Sequence, residues 1–529
     1  MAAPKAPQPS APPPRPERAN GPVDGIVAGR SATGTKTDTP IMETPNSVSV
    51  ISAKRIEQQG ATSVTEALGY TAGVSGNTYG ADMRFDWLRI RGFDAYLPGY
   101  FVDGMLARNN NTWTVWKVEP YGAERIEVLR GPASVLYGQV NVGGIVNIVS
   151  KQPLEERLNE VGIRIGNHNR VEGVFDFSGP VTKDGTLLYR LTGVGLTTDT
   201  QVDFTEQKRL YIAPAFTWRP NADTSITVLA QYLRERDVPD NRFLPAAGTL
   251  LPNPPFGKIR RSLFTGEPGY DKFHVDQWAV AYLFEHRVDE VWQVRQSMRY
   301  REMSVDYKTV YGTPGVPNLG RSLPRGIFTT DETLKAFTTD NQLQADFATG
   351  IVKHTVLAGL DYQHNTFGQR AGVGAGPPLD VYNPVYGTSI TDPPLYTDHT
   401  TKLSQTGLYL QDQAKIAERW IVILGGRYDW AKNHTVNRPI PIAPDGSIAN
   451  KKDEAFTWKA GLLYHAPIGV SPYVTYSESF FPSATLNPDT DAPFDPETGQ
   501  QYEVGVKFQP FGPRACSPLR RSTSSGRTM

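Results

Sequence analysis

The run Phe456-Thr-Trp-Lys-Ala-Gly-Leu-Leu-Tyr464 decides the fold. Phe456, Trp458, Ala460, Leu462 and Tyr464 fall on one side of an extended chain, and Thr457, Lys459 and Gly461 on the other. That is the period-two pattern of a strand, whose successive side chains point to opposite faces. The same grammar recurs outward from this run. Tyr502, Val504, Val506 and Phe508 oppose Gln501, Glu503, Gly505 and Lys507; Leu210, Ile212, Phe216 and Trp218 oppose Arg209 and Thr217. Val294, Met298 and Tyr300 oppose Gln293, Arg295, Ser297, Arg299 and Arg301. A soluble sandwich also alternates, but its strands average about 5–6 residues. These runs reach the 9–11 or so residues that cross a bilayer at a tilt. Their apolar faces end in Trp218, Trp420, Tyr428, Trp430, Trp458 and Tyr464, residue types that favour the membrane–water interface. The expectation is an antiparallel transmembrane β-barrel with its apolar face toward lipid.

The connections carry a second sign. Residues 182–185, 219–223, 288–290 and 416–419 are short turns, whereas 236–270, 304–334, 367–400 and 432–453 are long and rich in Pro, Gly and Asn. Alternating short and long connections match the periplasmic turns and extracellular loops of a barrel. About fourteen strands are expected between Asn159 and Pro510. Composition agrees. No run of about 18 apolar residues exists, which excludes a helical span but not a barrel, whose apolar surface hides in every second residue. Lys+Arg and Asp+Glu number 54 each, so no net field favours nucleic acid. Cys516 is the only cysteine, which excludes an internal disulfide and a Cys-based zinc site.

Before residue 151 the grammar differs. Residues 47–51 alternate like a strand, 52–60 read as a short helix closed by Gly60, and Ser63-Val-Thr-Glu66 is a capping box. Brief strands are expected at 87–90, 99–102, 124–129 and 143–150, the last behind a glycine pair. This is an α+β globule of about 110 residues. Residues 1–22 hold eight prolines and no apolar core, so they read as an extended leader and not a signal peptide.

The globule resembles the plug domain of TonB-dependent siderophore receptors. The segments that carry the resemblance are Thr39-Pro-Ile-Met-Glu-Thr-Pro-Asn-Ser-Val-Ser-Val-Ile51, Ile90-Arg-Gly-Phe93, Glu124-Arg-Ile-Glu-Val-Leu-Arg-Gly-Pro-Ala-Ser-Val-Leu-Tyr-Gly138 and Gly143-Gly-Ile-Val-Asn-Ile-Val-Ser-Lys151. Order and spacing match as well as wording. The barrel half is similar too, in the manner of the ferrichrome (hydroxamate) type. The implied organisation is a leader and linker over 1–38, a plug over 39–155, a partial barrel over 156–510 and an aberrant tail over 511–529.

The resemblance implies a receptor in the cell outer membrane, set in lipid, that takes a ferric siderophore at its extracellular mouth. TonB, with ExbB and ExbD, would pair with an extended stretch near the N-terminus and move the plug. Val23, Asp24, Gly25, Ile26, Val27 and Ala28 form the candidate TonB box, a short apolar stretch suited to strand addition. Tyr79 and Trp113 fall at plug-apex positions where ferrichrome-type receptors hold ligand. Those relatives have an Arg where this chain has Tyr79, and Arg84 nearby is expected to supply the donor. Arg91, Glu124, Arg125, Glu127 and Arg130 are expected to make hydrated plug–barrel ion pairs. Iron(III) would be held by the siderophore, with no protein cofactor or metal ligand set, since the eight histidines show no metal-ligand spacing.

The chain also departs from the family, with about fourteen of its roughly twenty-two strands. Residues 511–529 lack alternation and read as out-of-frame sequence after a truncation, so the chain is not expected to transport. Three rivals remain at this stage: the same family with haem, cobalamin or a glycan as cargo, a soluble all-β binding protein, and an enzyme. The last has no nucleophile set, paired-carboxylate motif or nucleotide loop behind it.

Overall fold

The structure, a computed structural model, describes residues 17–80, 82, 84–107, 112–239, 243–313, 320–482 and 494–509, together with the backbone alone of 517–527. Residues 1–16 of the proline-rich leader, and Cys516, lie outside the described residues. The plug is built on a five-stranded sheet: β1 (Ser47–Ser52), β2 (Tyr100–Val102), β3 (Met105–Leu106), β4 (Ala123–Arg130) and β5 (Gly144–Ser150), in the spatial order β1-β4-β5-β2-β3. Only the β5–β2 pairing is parallel. Ser52 caps helix α1 (Ala53–Gln59) by accepting the Arg55 amide, and Gly60 ends it at φ +62°, a left-handed conformation that costs glycine little. Ser63 accepts the Glu66 amide at 3.1 Å, but the Glu66 carboxylate reaches the Thr62 amide at 2.7 Å. The expected capping box therefore closes one residue further back. Ile51, Val64, Leu68, Ile90, Ile126, Val128 and Ile148 fill the core, each contributing on the order of 1.5–3 kcal/mol by burial.

The rest of the chain forms one antiparallel sheet of fifteen strands, each paired with its sequence neighbours. Fourteen of them run between Leu158 and Phe508, as the alternation implied. Its burial is the inverse of a soluble protein's. On the strand Glu206–Trp218, Leu210 is 51% exposed while its neighbour Arg209 is 6% exposed. Phe456 and Trp458 are exposed beside buried Thr457 and Lys459, and Tyr502 and Val504 beside buried Gln501 and Glu503. Water would not tolerate so continuous an apolar exterior, and lipid requires it. A soluble all-β fold is thereby excluded. No helix among the described residues is long and apolar enough to cross a membrane.

Aromatic residues mark the two rims. Trp420 pairs with Tyr464 at a 4.7 Å ring separation, and Tyr428 with Trp430 at 4.7 Å. Trp420 and Trp430 share one outward column of the strand Trp420–Asn437. At about 3.4 Å per residue and a tilt of about 40°, their separation corresponds to about 25 Å of bilayer, the height of a barrel's apolar band.

Two expectations change. The stretches 304–334, 367–400 and 432–453 are not mainly loops. The strands Ser322–Thr349 and Val352–Asp380 have 28 and 29 residues, and the ladder from Trp292–Gly312 begins at Gly312↔Arg325, leaving only 313–321 as connection. Beyond the bilayer both faces of a strand meet water, so composition ceases to alternate while backbone pairing continues. Of the four stretches, 236–270 alone lies mainly outside strands, within the connection 238–271. The tail also differs, because the backbone of Ser517–Arg527 pairs with Glu497–Phe508 as a fifteenth strand despite its lack of pattern.

Candidate functional site

The apex of the plug meets the barrel wall in a row of rings. Tyr79 packs edge-on to Trp87 at 4.9 Å, Trp87 to Phe85 at 5.1 Å, Phe85 lies 5.6 Å from Trp113, and Trp113 lies 4.7 Å from Tyr307. Phe273 and Phe328 extend the row along the wall. Tyr307 and Phe273 point inward by the same alternation that sends Tyr300 outward. The strand period therefore already marked them as lumen aromatics, although sequence reasoning about the site passed over them. Trp113 is fixed by its backbone, since its amide and that of Thr114 both donate to Glu332 Oε2 at 3.0 Å.

Arg84 sits beneath these rings. Asp82 accepts its Nε at 2.8 Å, its Nη2 at 2.6 Å and its backbone amide at 2.9 Å, and accepts Trp87 Nε1 at 2.9 Å. Nη1 donates to the Tyr307 hydroxyl at 2.7 Å, and the guanidinium lies 5.1 Å from the Trp113 ring centre. Burial pushes the Asp82 carboxyl up, but the Arg84 charge and hydrogen bonds outweigh it and hold the group below its ordinary range. All three residues expected at the apex thus belong to one cluster of rings. Their roles differ from the expectation: Tyr79 is 62% exposed at the outer end, whereas Arg84 is buried and bound to Asp82. Arg84 braces the aromatic floor more than it offers a donor to the mouth. Aromatic rings backed by a buried cation suit a ligand with an apolar rim and oxygens around a shielded ion.

The plug is fastened to the barrel by ion pairs, and two of the five residues expected there make them. Arg91 reaches Glu503 at 2.7 Å, and Glu124 accepts Arg190 at 3.0 Å. Arg91 and Gly92 both adopt positive φ, +54° and +88°, in the tight turn between residues 89–90 and 93–94. A strained non-glycine backbone here holds the guanidinium toward the wall. Arg125 and Glu127 turn inward instead, onto residues 17–33, and Arg130 bonds the Ala72 carbonyl and the Ser47 and Ser49 hydroxyls. Alternation along β4 cannot forecast this, because the sheet is covered on both faces. Pairs that sequence reasoning missed include Glu119–Arg209 at 2.8 Å, Lys36–Asp340 at 2.7 Å, Asp103–Arg299 at 2.5 Å and Glu43–Lys415 at 3.0 Å. The first three are enclosed and not hydrated as expected, so removing one partner costs about 3–5 kcal/mol. The candidate pairing stretch Val23–Ala28 forms a loop beneath the plug, with Ile26 46% exposed. No group of three or more His, Cys, Asp and Glu among the described residues could hold a metal ion.

Two family descriptions match the chain: TonB dependent receptor-like, beta-barrel, over residues 217–515, and TonB-dependent Receptor Plug Domain, over 40–145. Among curated relatives, the ferrichrome outer membrane transporter/phage receptor of Escherichia coli K12 is 39% identical over 93% of this chain and 68% of its own length. The ferrioxamine B receptor of Salmonella typhimurium is 37% identical over 90% and 67%. The chain therefore spans about two thirds of these relatives. The solved siderophore receptor PiuA of Acinetobacter baumannii superposes with a TM-score of 0.80 at 22% identity, covering 93% of this chain and 73% of that one. The ferric-catecholate import receptor Fiu of E. coli K12 gives 0.81 at 22%, covering 94% and 76%.

Proposed function

This chain belongs to the TonB-dependent receptor family of the bacterial outer membrane, and from that premise we propose that it is a receptor for ferric siderophores of the hydroxamate class. The observation that carries the reading is the floor of rings at the plug apex, Trp87, Phe85 and Trp113 against Tyr307 of the wall. A ferric siderophore is a compact complex whose iron is already saturated by its own oxygens. Such a ligand needs shape, rings and hydrogen-bond donors from the protein and no metal-ligating side chains.

On this reading the ligand docks on the Tyr79–Trp113 row, and iron enters as cargo. TonB pairs with residues 23–28 by strand addition and works the plug against its ion pairs with the wall. ExbB and ExbD supply the proton-driven motion to TonB, and neither the iron nor its carrier stays in the protein. The ligands for which two relatives are named, ferrichrome and ferrioxamine B, support the hydroxamate class. Titrating the purified chain with ferric hydroxamates, ferric catecholates, haem and cobalamin, and reading tryptophan quenching, tests the proposal. Quenching by the hydroxamates alone is the expected result. Quenching by haem or cobalamin alone reassigns the cargo, and saturable quenching by none of the four ends the siderophore reading.

A further inference from the structure

Arg125 lies in β4 with its side chain fully enclosed. Its guanidinium donates to the Gly21 carbonyl at 2.8 Å, the Arg18 carbonyl at 3.3 Å and the Arg30 carbonyl at 2.8 Å. It also meets the carboxylates of Glu17 at 3.1 Å and Glu127 at 3.3 Å. One side chain therefore grips the backbone on both sides of residues 22–29. Glu17 adds a second clasp, since its other oxygen accepts the Gly29 amide at 2.8 Å. The middle of the loop is tacked down as well: Ser52, the register partner of Arg125 on β1, donates from Oγ to the Gly25 carbonyl at 2.8 Å.

Geometry makes this a constraint on pairing. Eight extended residues span about 27 Å, whereas the carbonyls of Gly21 and Arg30 both lie within hydrogen-bond reach of a single guanidinium. The segment cannot be extended while both ends stay attached. Strand addition needs an extended edge with unoccupied carbonyls and amides, and here the Gly21, Gly25 and Arg30 carbonyls and the Gly29 amide are already engaged.

We propose that Arg125 is a positioning residue that holds residues 22–29 as a closed loop, and that a partner strand pairs with them only after Arg125 releases one end. The pairing half of this rests on the reading of Val23–Ala28 as the TonB-binding stretch. Release loses several charge-assisted hydrogen bonds at once, so the closed loop dominates and the partner binds through a minor population.

The test places a nitroxide at Ile26→Cys in the full chain carrying Cys516→Ser, in detergent micelles. Spin-label mobility and affinity for a soluble TonB fragment are read together. Glu17→Ala is expected to raise the mobile fraction about tenfold, the response to losing roughly one charge-assisted hydrogen bond, and Arg125→Ala, which loses several, by at least as much. TonB affinity is expected to rise in each variant by the factor its mobile fraction does, because affinity scales with the competent fraction. Glu17 lies outside the plug core, so its variant carries the test if Arg125→Ala does not fold. A label that stays immobile in a folded variant overturns the role of Arg125. A label that mobilises without any gain in TonB binding overturns the gating, and places the fault in the assignment of residues 23–28.

Discussion

Tyr79 stands at the outer end of the row of rings and Trp113 within it, and their surroundings set what each is worth. Trp113 touches Phe85, Tyr307 and Phe328, while Tyr79 has a single edge contact with Trp87. Trp113→Ala is expected to weaken ligand binding about tenfold and Tyr79→Ala no more than about threefold, given roughly 0.5–1.5 kcal/mol for each aromatic pair. Fluorescence titration reads both, and the reverse order would remove Trp113 from the site. A second residue-scale prediction concerns Asp271, at the end of the long excursion 238–271. Its carboxylate accepts the Glu267 amide at 2.9 Å, the Thr309 hydroxyl at 2.9 Å and the Val310 amide at 3.2 Å. Burial nevertheless pushes the group up to about 7 from an ordinary 3.8. The folded state binds the proton more tightly than the unfolded one does. Its stability contribution is therefore fully present below about pH 4 and is lost as pH rises toward about 7. The hydrogen-exchange protection factor of the 238–271 segment should fall across that window, and Asp271→Asn should flatten the dependence. A pH-independent protection factor in the parent chain would show that folding does not shift the Asp271 carboxyl.

At the scale of the strand, the inverted burial makes a sharp forecast. Leu424, 56% exposed, lies on the outward column between Trp420 and Trp430, near the middle of the apolar band. Leu424→Arg is expected to cost about 2–4 kcal/mol in a bilayer, although on a water-facing strand an exposed Leu→Arg change is nearly neutral. The readout is the fraction of chain that folds into lipid vesicles, with Tyr502→Phe as a tolerated control at another outward position. Equal folding of Leu424→Arg and parent would mean that this face never meets lipid. The same alternation explains what could be read in advance. Fourteen strands, both aromatic rims and the lumen-facing Arg209, Thr457 and Glu503 follow from a period of two, because the environment changes at every residue. The long strand extensions did not follow, since beyond the bilayer the two faces see the same solvent. Nor did the inward turn of Arg125 and Glu127, because β4 is enclosed on both faces and a buried charge is placed by its partners. Arg84 was found by its neighbourhood, but its engagement by Asp82 depends on a three-residue contact that no period encodes.

For the whole molecule, the decisive feature is that the sheet is open. Among the described residues its edge strands, Leu158–Gly166 and Ser517–Arg527, pair only with their inner neighbours. Val161, Ile163 and Ile165 on the first edge face outward and are exposed, so that edge is suited to the membrane. There, each unpaired backbone group costs several kcal/mol, because lipid offers no hydrogen bond in exchange. Curling these strands onto each other would close a narrower bore, while the plug already fixes the radius. Arg91 must reach Glu503, Glu124 must reach Arg190, and Lys36 must reach Asp340, and these contacts are distributed around the lumen. Among the described residues, closing the edges and keeping the plug contacts therefore oppose each other. For these 529 residues taken by themselves, the expected outcome is the same electrophoretic position with and without boiling and no import of labelled iron. Joining the two edges with closing strands taken from a relative should give a compact, detergent-resistant form and, with TonB present, uptake. If the unmodified chain already shows the boiling-dependent shift and accumulates iron, closure is reached without added strands, and the geometric limit set by the plug contacts is wrong.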